Sequence, residues 1–306
     1  MQKVILGFLL ILITFSCREE KLGFVDQKKV ADEKAALFVQ LLPIANRFAI
    51  DPSKKTIFTT PNKTYFEIPA KAFVDKSGNP VKKTISLDIL EIKKSSDIIR
   101  CNSNSIPNDV LSQPIIQFKI TAKTGNEELF LANDKSFKTL IESSTSLGLT
   151  NIFLGTEHPN GILWEEDMDM NNLILNAWDT EGGTVSGFEM TLTKMGWISL
   201  QTSLPNYEKA SLSIELPNQY SSKNTAVYTV IKSMNAVIPM LDNPDQHGFY
   251  SSQIPKDKDI SIISISKQGN NEYFFSKKDA NLKEASGLKL DPKMVTFTEL
   301  MHLLEE

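Results

Sequence analysis

An acidic segment in the middle of the chain has the residue types of a calcium site. Asp167-Met168-Asp169-Met170-Asn171 places three oxygen-bearing side chains at alternate positions, directly after Glu165 and Glu166. Such spacing begins an EF-hand loop, which also requires Gly at its sixth position and Glu at its twelfth. Those positions hold Asn172 and Trp178. The sequence therefore excludes an EF-hand and leaves two alternatives, a looser surface calcium site or, as we predict, a solvated acidic loop.

The other chemically reactive residues form no recognisable catalytic or metal-binding motif. His158, His247 and His302 are far apart, and none has a second histidine at zinc-ligand spacing. The chain contains no G-x-S-x-G, phosphate-binding P-loop or H-E-x-x-H motif. Any two of the 37 acidic residues could meet as the carboxylate pair of a glycoside hydrolase, but nothing selects a pair. We therefore predict no catalytic centre, no metal and no cofactor.

The N-terminal segment carries a cysteine whose surroundings predict a modification. Lys3 precedes an uncharged run from Val4 to Phe15, and Ser16 supplies a small residue directly before Cys17. A basic start, an apolar core and a small residue at the cut are typical of a secretory signal peptide. The apolar run is well short of the ~20 residues that span a bilayer, which argues against a transmembrane anchor. The segment resembles a bacterial lipoprotein signal, in which the thiol receives a diacylglycerol, and so predicts lipidation at Cys17.

The N-terminal region therefore divides into a signal peptide at 1–16 and a lipidated tether at 17–46. We expect the tether to be partly helical or disordered, with Pro43 ending any helix. Arg18-Glu19-Glu20-Lys21 resembles the signal that sends lipoproteins of Bacteroidetes to the cell surface. We expect the protein to lie at the outer membrane of the cell envelope. The resemblance of Arg18 to Lys21 adds the more specific expectation that it is exposed at the cell surface.

Charge and cysteine content exclude two further classes of protein. The chain has 33 Lys and Arg against 37 Asp and Glu, a weak and mixed balance that does not suggest a nucleic-acid surface. With Cys17 acylated, Cys101 is the only free thiol, so a disulfide within one chain is impossible. We predict that Cys101 is a small buried apolar side chain and not a nucleophile.

Downstream of residue 47, short β-rich runs alternate with turn residues. The 306 residues suit two domains of ~100–150 residues each. Strands at roughly ten-residue spacing, with no long amphipathic helix, favour β-sandwiches. Thr84 to Ile92 is an almost continuous apolar run and predicts a central strand. We predict an all-β chain of two tandem sandwiches, 47–203 and 204–306, that fold as separate units.

Two motifs in the first sandwich carry a family resemblance. The block from Phe48-Ala49-Ile50-Asp51 through Phe66-Glu67-Ile68-Pro69-Ala70-Lys71-Ala72-Phe73 looks like a family of uncharacterised Bacteroidetes surface lipoproteins. Its Ile-Pro-Ala-x-Ala-Phe core is also similar, over a shorter stretch, to the β-sandwich domain of ankyrins and netrin receptors, which mediates protein contacts. Gly196-Trp197-Ile198 resembles the domain junction of the lipoprotein family, although Ser199-Leu200-Gln201 replaces the usual Asn-Cys-Asp. The resemblance implies binding modules, and we expect Trp197 to be a core residue that closes the first domain.

The second unit is smaller and ends in a helix. Its strands number about seven, as in an immunoglobulin-like sandwich, without the cysteine pair of that fold. Thr296-Phe297-Thr298-Glu299 has the pattern of a capping box. Phe297, Leu300, Met301 and Leu304 share one face of the short helix that follows and are expected to dock it against the second sandwich.

Two function classes stay open. We predict a lipid-anchored binding or scaffolding lipoprotein that holds a protein or glycan partner at the cell envelope. The alternative is a hydrolase of surface polymers with a carboxylate site built from loops. A cleft with convergent carboxylates of shifted pKa would favour the hydrolase, whereas exposed edges or aromatic rows would favour the binding protein. The expected contact surface includes the segment from Trp164 to Asn172. Trp164 beside four acids is either an apolar anchor or, as is commoner for a tryptophan, a half-buried core residue.

Overall fold

A computed structural model describes residues 27–144, 148–158, 161–169, 172–180, 182–204, 206–243, 248–256, 258–269, 271–282 and 286–306. The predicted signal peptide and its Cys17 lie outside the described residues, as does His247. The described part of the chain is mainly β-strand with three helices, so the predicted all-β class is confirmed. No helix in these ranges is both long and apolar enough to cross a bilayer.

The first sandwich consists of two antiparallel sheets. The inner sheet, which faces the second sandwich, has the order β1-β5-β6-β13-β9-β10, with β7 pairing β6 and β4. The outer sheet has the order β11-β12-β8-β3-β2. The strands are β1 (Asn46–Ile50), β2 (Thr56–Thr59), β3 (Tyr65–Ile68), β4 (Phe73–Val74), β5 (Ile85–Ile92), β6 (Ser112–Thr124), β7 (Glu127–Leu131), β8 (Phe137–Glu142), β9 (Thr150–His158), β10 (Gly161–Glu166), β11 (Leu173–Thr180), β12 (Gly183–Leu192) and β13 (Gly196–Ser203).

Strand β5 shows why part of this sequence is apolar almost without interruption. Ile85, Leu87 and Ile89 point into the core between the inner and outer sheets. Leu90 and Ile92 belong instead to a second cluster on the opposite face of the inner sheet. Both faces of the strand are therefore buried in its second half, and β5 pairs with β1 and β6 on its two sides. The prediction of a central strand is confirmed.

The second sandwich also has two sheets. Their orders are β17-β18-β14-β21 and β16-β15-β19-β20-β22, and β14 and β21 pair in parallel. Both sheets contribute to a core that includes Leu212, Ile214, Val227 and Ile262. The strands are β14 (Lys209–Glu215), β15 (Thr225–Ile231), β16 (Ala236–Pro239), β17 (Leu241–Asn243), β18 (Gly248–Pro255), β19 (Asp259–Gln268), β20 (Glu272–Asn281), β21 (Ser286–Lys289) and β22 (Lys293–Val295).

Three helices, α1 (Gln27–Leu41), α2 (Ser95–Arg100) and α3 (Phe297–Glu305), complete the fold. Helix α1 occupies much of the segment in which we expected a tether, but Leu37 and Leu41 are fully buried, so its C-terminal half is part of the folded body. Helix α3 begins with the predicted capping box between Thr296 and Glu299 and buries Leu300 and Leu304.

A hydrophobic cluster lies between the two sandwiches. The inner sheet contributes both Trp164 and Trp197, and the second sandwich contributes Tyr228 and Phe275. Helices α1, α2 and α3 all add side chains to the same cluster. In addition, Leu111, from the connection that leads into β6, is buried in the core of the second sandwich. The two sandwiches therefore share apolar packing over and above their covalent connection.

Candidate functional site

The predicted acidic loop connects β10, at the edge of the inner sheet, to β11, at the edge of the outer sheet. Asn172 donates from Nδ2 to Asp167 Oδ2 at 3.0 Å, and the Asp169 N–H lies 3.4 Å from Asp167 Oδ1. Met170 and Asn171 lie outside the described residues. In the described ranges, no three His, Cys, Asp or Glu side chains are arranged to hold a metal ion. The Asp167 carboxylate thus fixes the conformation of its own loop.

Trp164 is a core residue, the commoner of its two expected roles, and not an exposed anchor. Its side chain is only 4% exposed and packs edge-on against Trp197, with ring centroids 6.5 Å apart. Gly155 makes this packing possible, because a Cβ there would lie 2.7 Å from both Trp164 Cζ3 and Trp197 Cβ. Both indoles are therefore buried between the sandwiches, and Trp197 is a core residue of that interface.

Trp197 also anchors a small polar network at the margin of the interface. Its Nε1 donates to Glu157 Oε1 at 2.9 Å, and Lys119 Nζ donates to the same oxygen at 2.6 Å. The Lys119 ammonium, and secondarily the indole N–H, lower the pKa of the Glu157 carboxyl. The ionised Glu157 carboxylate accepts the hydrogen bond that the Trp197 indole N–H needs at the margin of the buried cluster. Because it is held ionised, this carboxyl is poorly suited to act as a general acid.

Exposed apolar side chains surround the acidic loop in place of Trp164. Leu163 is 56% exposed, Met168 81%, Ile174 49% and Leu175 51%. Ile174 and Leu175 lie on opposite faces of β11, the last strand of the outer sheet. The sequence from Leu173 to Trp178 does not reveal this exposure, because an apolar run on an edge strand has the same pattern as one in a core.

The charge around these side chains is of one sign. Residues 161–193 contain seven Asp and Glu and no Lys or Arg. Lys138 of β8 reaches in from outside and pairs with Glu189 at 2.7 Å. We call the described part of residues 163–180 the acidic edge. It combines exposed apolar side chains with acidic side chains and contains no Lys or Arg, a composition suited to a basic and apolar partner.

Helices α2 and α3 supply the arrangement that comes nearest to a carboxylate pair. Arg100 Nη1 lies 3.1 Å from Asp97 Oδ1 and 3.5 Å from Glu305 Oε1, and its Nε donates to the Leu41 carbonyl at 3.0 Å. Burial raises the pKa of the Asp97 carboxyl above its ordinary value, although the Arg100 charge opposes the shift. The guanidinium joins both carboxylates and the end of α1, which is the geometry of an ion-pair clamp between three helices.

A groove of about 360 Å³ runs beside this clamp. Its lining includes Lys94, Ser96, Glu305, Lys232 and Lys277. The groove is open and mixed in charge, and Asp97 is not part of its lining. It would hold a ligand by surface contact but would not enclose one away from water, as hydrolytic sites do.

The remaining predicted reactive residues are not brought together. Cys101 is buried and unpaired, as predicted, and burial raises its thiol pKa to about 12. His158 ends β9, whereas His302 lies on α3 with Nδ1 3.2 Å from Glu306 Oε1. No described histidine therefore lies beside the Cys101 thiol or the Asp97 carboxyl in a catalytic arrangement.

Comparison with known proteins does not identify a family. No protein-family model matches the chain, and no curated protein matches it. The resemblance to Bacteroidetes surface lipoproteins stays a prediction.

Proposed function

We propose that the chain is a lipid-anchored binding or scaffolding protein of the cell envelope, and that it holds a macromolecular partner at the acidic edge without catalysing a reaction. One observation carries this proposal. Of the twelve large hydrophobic side chains that are exposed among the described residues, four lie between Leu163 and Leu175. Exposed apolar side chains concentrated in this way are typical of a surface that binds another macromolecule.

The position of the N-terminal helix is compatible with this role. Lipidation at Cys17 would place the anchor ten residues before the start of α1 at Gln27. Helix α1 packs against β19 of the second sandwich. The acidic edge belongs to the first sandwich, whereas the helix that follows the proposed lipid site packs on the second.

Membrane attachment is tested by fractionating cells that express the wild-type chain or Cys17→Ala. The wild-type protein is expected in the membrane fraction, with acyl chains on an N-terminus that begins at Cys17. Each buried CH₂ contributes ~0.8 kcal/mol, so two or more long chains hold the protein on the membrane. A Cys17→Ala protein that remained equally membrane-bound would rule out the lipid anchor.

Partner binding is tested by cross-linking in intact cells and capture of the lipidated protein. Wild-type protein is expected to retain a partner that Ile174→Lys loses. The matched control is Ile57→Lys, because Ile57 is 53% exposed and lies on β2, the opposite edge strand of the same sheet. Equal capture by all three proteins would show that the acidic edge is not the contact surface.

The hydrolase alternative has one specific pair of residues to test. Asp97, with its raised pKa, is the carboxyl best suited to act as a general acid, and Glu305 is its nearest described candidate partner through Arg100. The wild-type protein is assayed for turnover of surface polysaccharides and esters. Turnover that is abolished in Asp97→Asn, without loss of thermal stability, would support the hydrolase and reject the proposal of a non-catalytic binding protein. Absence of turnover together with a captured partner would support the binding protein.

A further inference from the structure

We propose that the open edge of β11 binds its partner by strand addition, and that the partner segment is an extended polypeptide that is apolar and basic. This inference rests on the proposed function and specifies its chemistry. Strand addition joins two chains through backbone hydrogen bonds, while pockets and faces beside the strand select the side chains.

The backbone of β11 is paired on one side only. Its register with β12 runs without interruption from Leu173 opposite Met190 to Thr180 opposite Gly183. No described strand pairs with its other side, because β11 ends the outer sheet. An edge strand of eight residues presents a row of N–H and C=O groups that no neighbouring strand pairs, although the Ala177 N–H donates to the Asn176 side chain. Only another extended polypeptide matches such a row, which favours a protein segment over a glycan.

Most other edges of the inner and outer sheets are protected. Strand β2 has four residues, and β1 has five, including Arg47, which pairs with Asp88 at 2.7 Å. On β10, the Ile162 carbonyl already accepts a hydrogen bond from Asn104 Nδ2 at 2.9 Å. Short strands, edge charges and covering segments are the usual means of preventing unwanted strand pairing. Strand β11 is longer and is charged only near its end, at Asp179. Its one described backbone group with a side-chain partner on this side is the Ala177 N–H, which donates to the neighbouring Asn176 Oδ1 at 2.8 Å. An incoming strand would have to displace that local contact.

The edges of the second sandwich are protected in the same ways. Strand β16 is short, and its Val237 carbonyl accepts a hydrogen bond from the Ser105 N–H at 2.9 Å. Strand β20 extends beyond its pairing with β22 but carries Lys277, Lys278 and Asp279 there. Strands β17, β21 and β22 have three or four residues each. Among the described strands, β11 is thus the long edge that is neither covered nor charged at its centre.

The side chains of β11 indicate what the added strand must bury. Ile174 and Trp178 share one face, where Trp178 lies opposite Val185 on β12. Leu175 lies on the other face, opposite the buried Phe188. Strand β8 pairs with β12 only from Gly187 onward, so β11 is the only described strand that pairs with residues 183–186 of β12. The incoming segment therefore needs apolar side chains on both of its faces.

Charge selects a basic segment and disfavours a second copy of this chain. In a symmetric antiparallel pair, the start of one β11 would lie beside the end of the other. The start follows Asp167 and Asp169, and the end carries Asp179, so acidic groups would face acidic groups. Like charges placed opposite one another across strands are destabilising. A segment with Lys or Arg near its ends would be attracted to the same residues.

The test uses a display library of random peptides of about twelve residues, enough to cover a strand of ordinary length. The library is selected against the whole mature protein. Selected peptides are expected to alternate β-branched or aromatic residues with others and to be enriched in Lys and Arg. Their Kd is expected to rise about tenfold or more in Ile174→Lys and to stay unchanged in the matched Ile57→Lys protein. Peptides without basic enrichment, or with equal Kd in both variants, would overturn the proposal.

Amide hydrogen exchange identifies the binding mode directly. A bound peptide is expected to slow exchange along β11 and to leave β2 unchanged, and binding without new protection in β11 would overturn strand addition. Dimerisation that depends on concentration and is lost in Ile174→Lys would assign the edge to a second copy instead. If cells still retain a partner through Ile174 while no peptide binds, strand addition fails and the proposed binding function stands. If neither partner nor peptide depends on Ile174, both fail.

Discussion

The side chain of Asn235 caps helix α2 across the boundary between the two sandwiches. Its Oδ1 accepts a hydrogen bond from the Ser95 N–H at 2.6 Å, and its Nδ2 donates to the Lys93 carbonyl at 2.6 Å. The N-cap residue of α2, Lys94, provides no side-chain cap of its own. Asn235 has φ +48°, a left-handed conformation that asparagine adopts more readily than most residues. One amide therefore joins a loop of the second sandwich to the start of a helix in the first.

Replacing Asn235 by Gly is expected to lower the free energy of unfolding by about 1–2 kcal/mol, the usual cost of losing a helix cap and its partner hydrogen bond. Gly is the appropriate replacement because it accepts a positive φ without strain. Urea denaturation measures the loss. Asn235→Asp keeps the acceptor for the Ser95 N–H but places a carboxylate oxygen against the Lys93 carbonyl, so it should recover only part of the stability. No loss in Asn235→Gly would show that the Asn235 amide contributes little.

Substitution of Gly155 by Ala tests the packing of the two indoles. The added Cβ would lie 2.6 Å from Ile162 Cγ2 and 2.7 Å from Trp164 Cζ3, so the cluster must shift. Overpacking of this kind typically lowers the free energy of unfolding by about 1–3 kcal/mol. The control is Gly287→Ala, because a Cβ at Gly287 would meet no atom within 4 Å. Thermal unfolding that is equally affected in both proteins would contradict this account of the interface.

Helix α1 provides a matched pair of substitutions that tests its burial. Leu37 is fully buried, whereas Val39, two residues later, is 78% exposed. Leu37→Ala is expected to lower the free energy of unfolding by about 2–5 kcal/mol, because it leaves a cavity. Val39→Ala should change it by less than about 0.5 kcal/mol. Similar losses in the two variants, measured by denaturant unfolding, would show that α1 does not dock as described.

The same unfolding experiment tests whether the two sandwiches are independent. The sequence predicts separate units, but the shared cluster of Trp197, Tyr228 and Leu37 favours a single transition. Probes placed in each sandwich are expected to report the same midpoint in wild-type protein. Leu37→Ala should lower both midpoints together. Two separate unfolding transitions in the wild-type protein would support the prediction from the sequence that the two sandwiches fold independently.

Burial of Cys101 predicts both slow labelling and a dependence of stability on pH. Burial raises its pKa from 9.0 to about 12, so the folded protein holds the neutral thiol at pH 8. In a Cys17→Ala chain, thiol reagents are expected to label Cys101 only as fast as the protein opens. The contribution of the neutral thiol is fully present below about pH 9 and is lost as pH rises towards 12. In Cys101→Ala, the free energy of unfolding should lack this dependence on pH between about pH 9 and 12. Rapid labelling at pH 8 in the native protein would contradict its burial.

Local features of the fold could be predicted from the sequence. The capping box at Thr296 and Glu299 depends on contacts within four residues, and the structure has both of its hydrogen bonds. The turn that joins β6 to β7 is also local, because it depends on Gly125, whose φ of +61° favours glycine. The sequence also favoured a central position for β5 through its apolar run. In each case a few consecutive residues determine the conformation, so the pattern can be read without knowing the rest of the chain.

Other features were decided only when distant segments met. Trp164, beside four acids in sequence, is buried because Gly155 and Trp197 lie next to it in the folded sheet. Ile174 and Leu175 have the pattern of a core strand and yet are exposed, because no strand follows β11 in the outer sheet. Residue types determined the conformation of each segment, whereas strand order and packing between the sandwiches determined which apolar faces were covered. Burial depends on neighbours that are distant in the sequence, and the pattern of apolar and polar residues along the chain does not specify those neighbours.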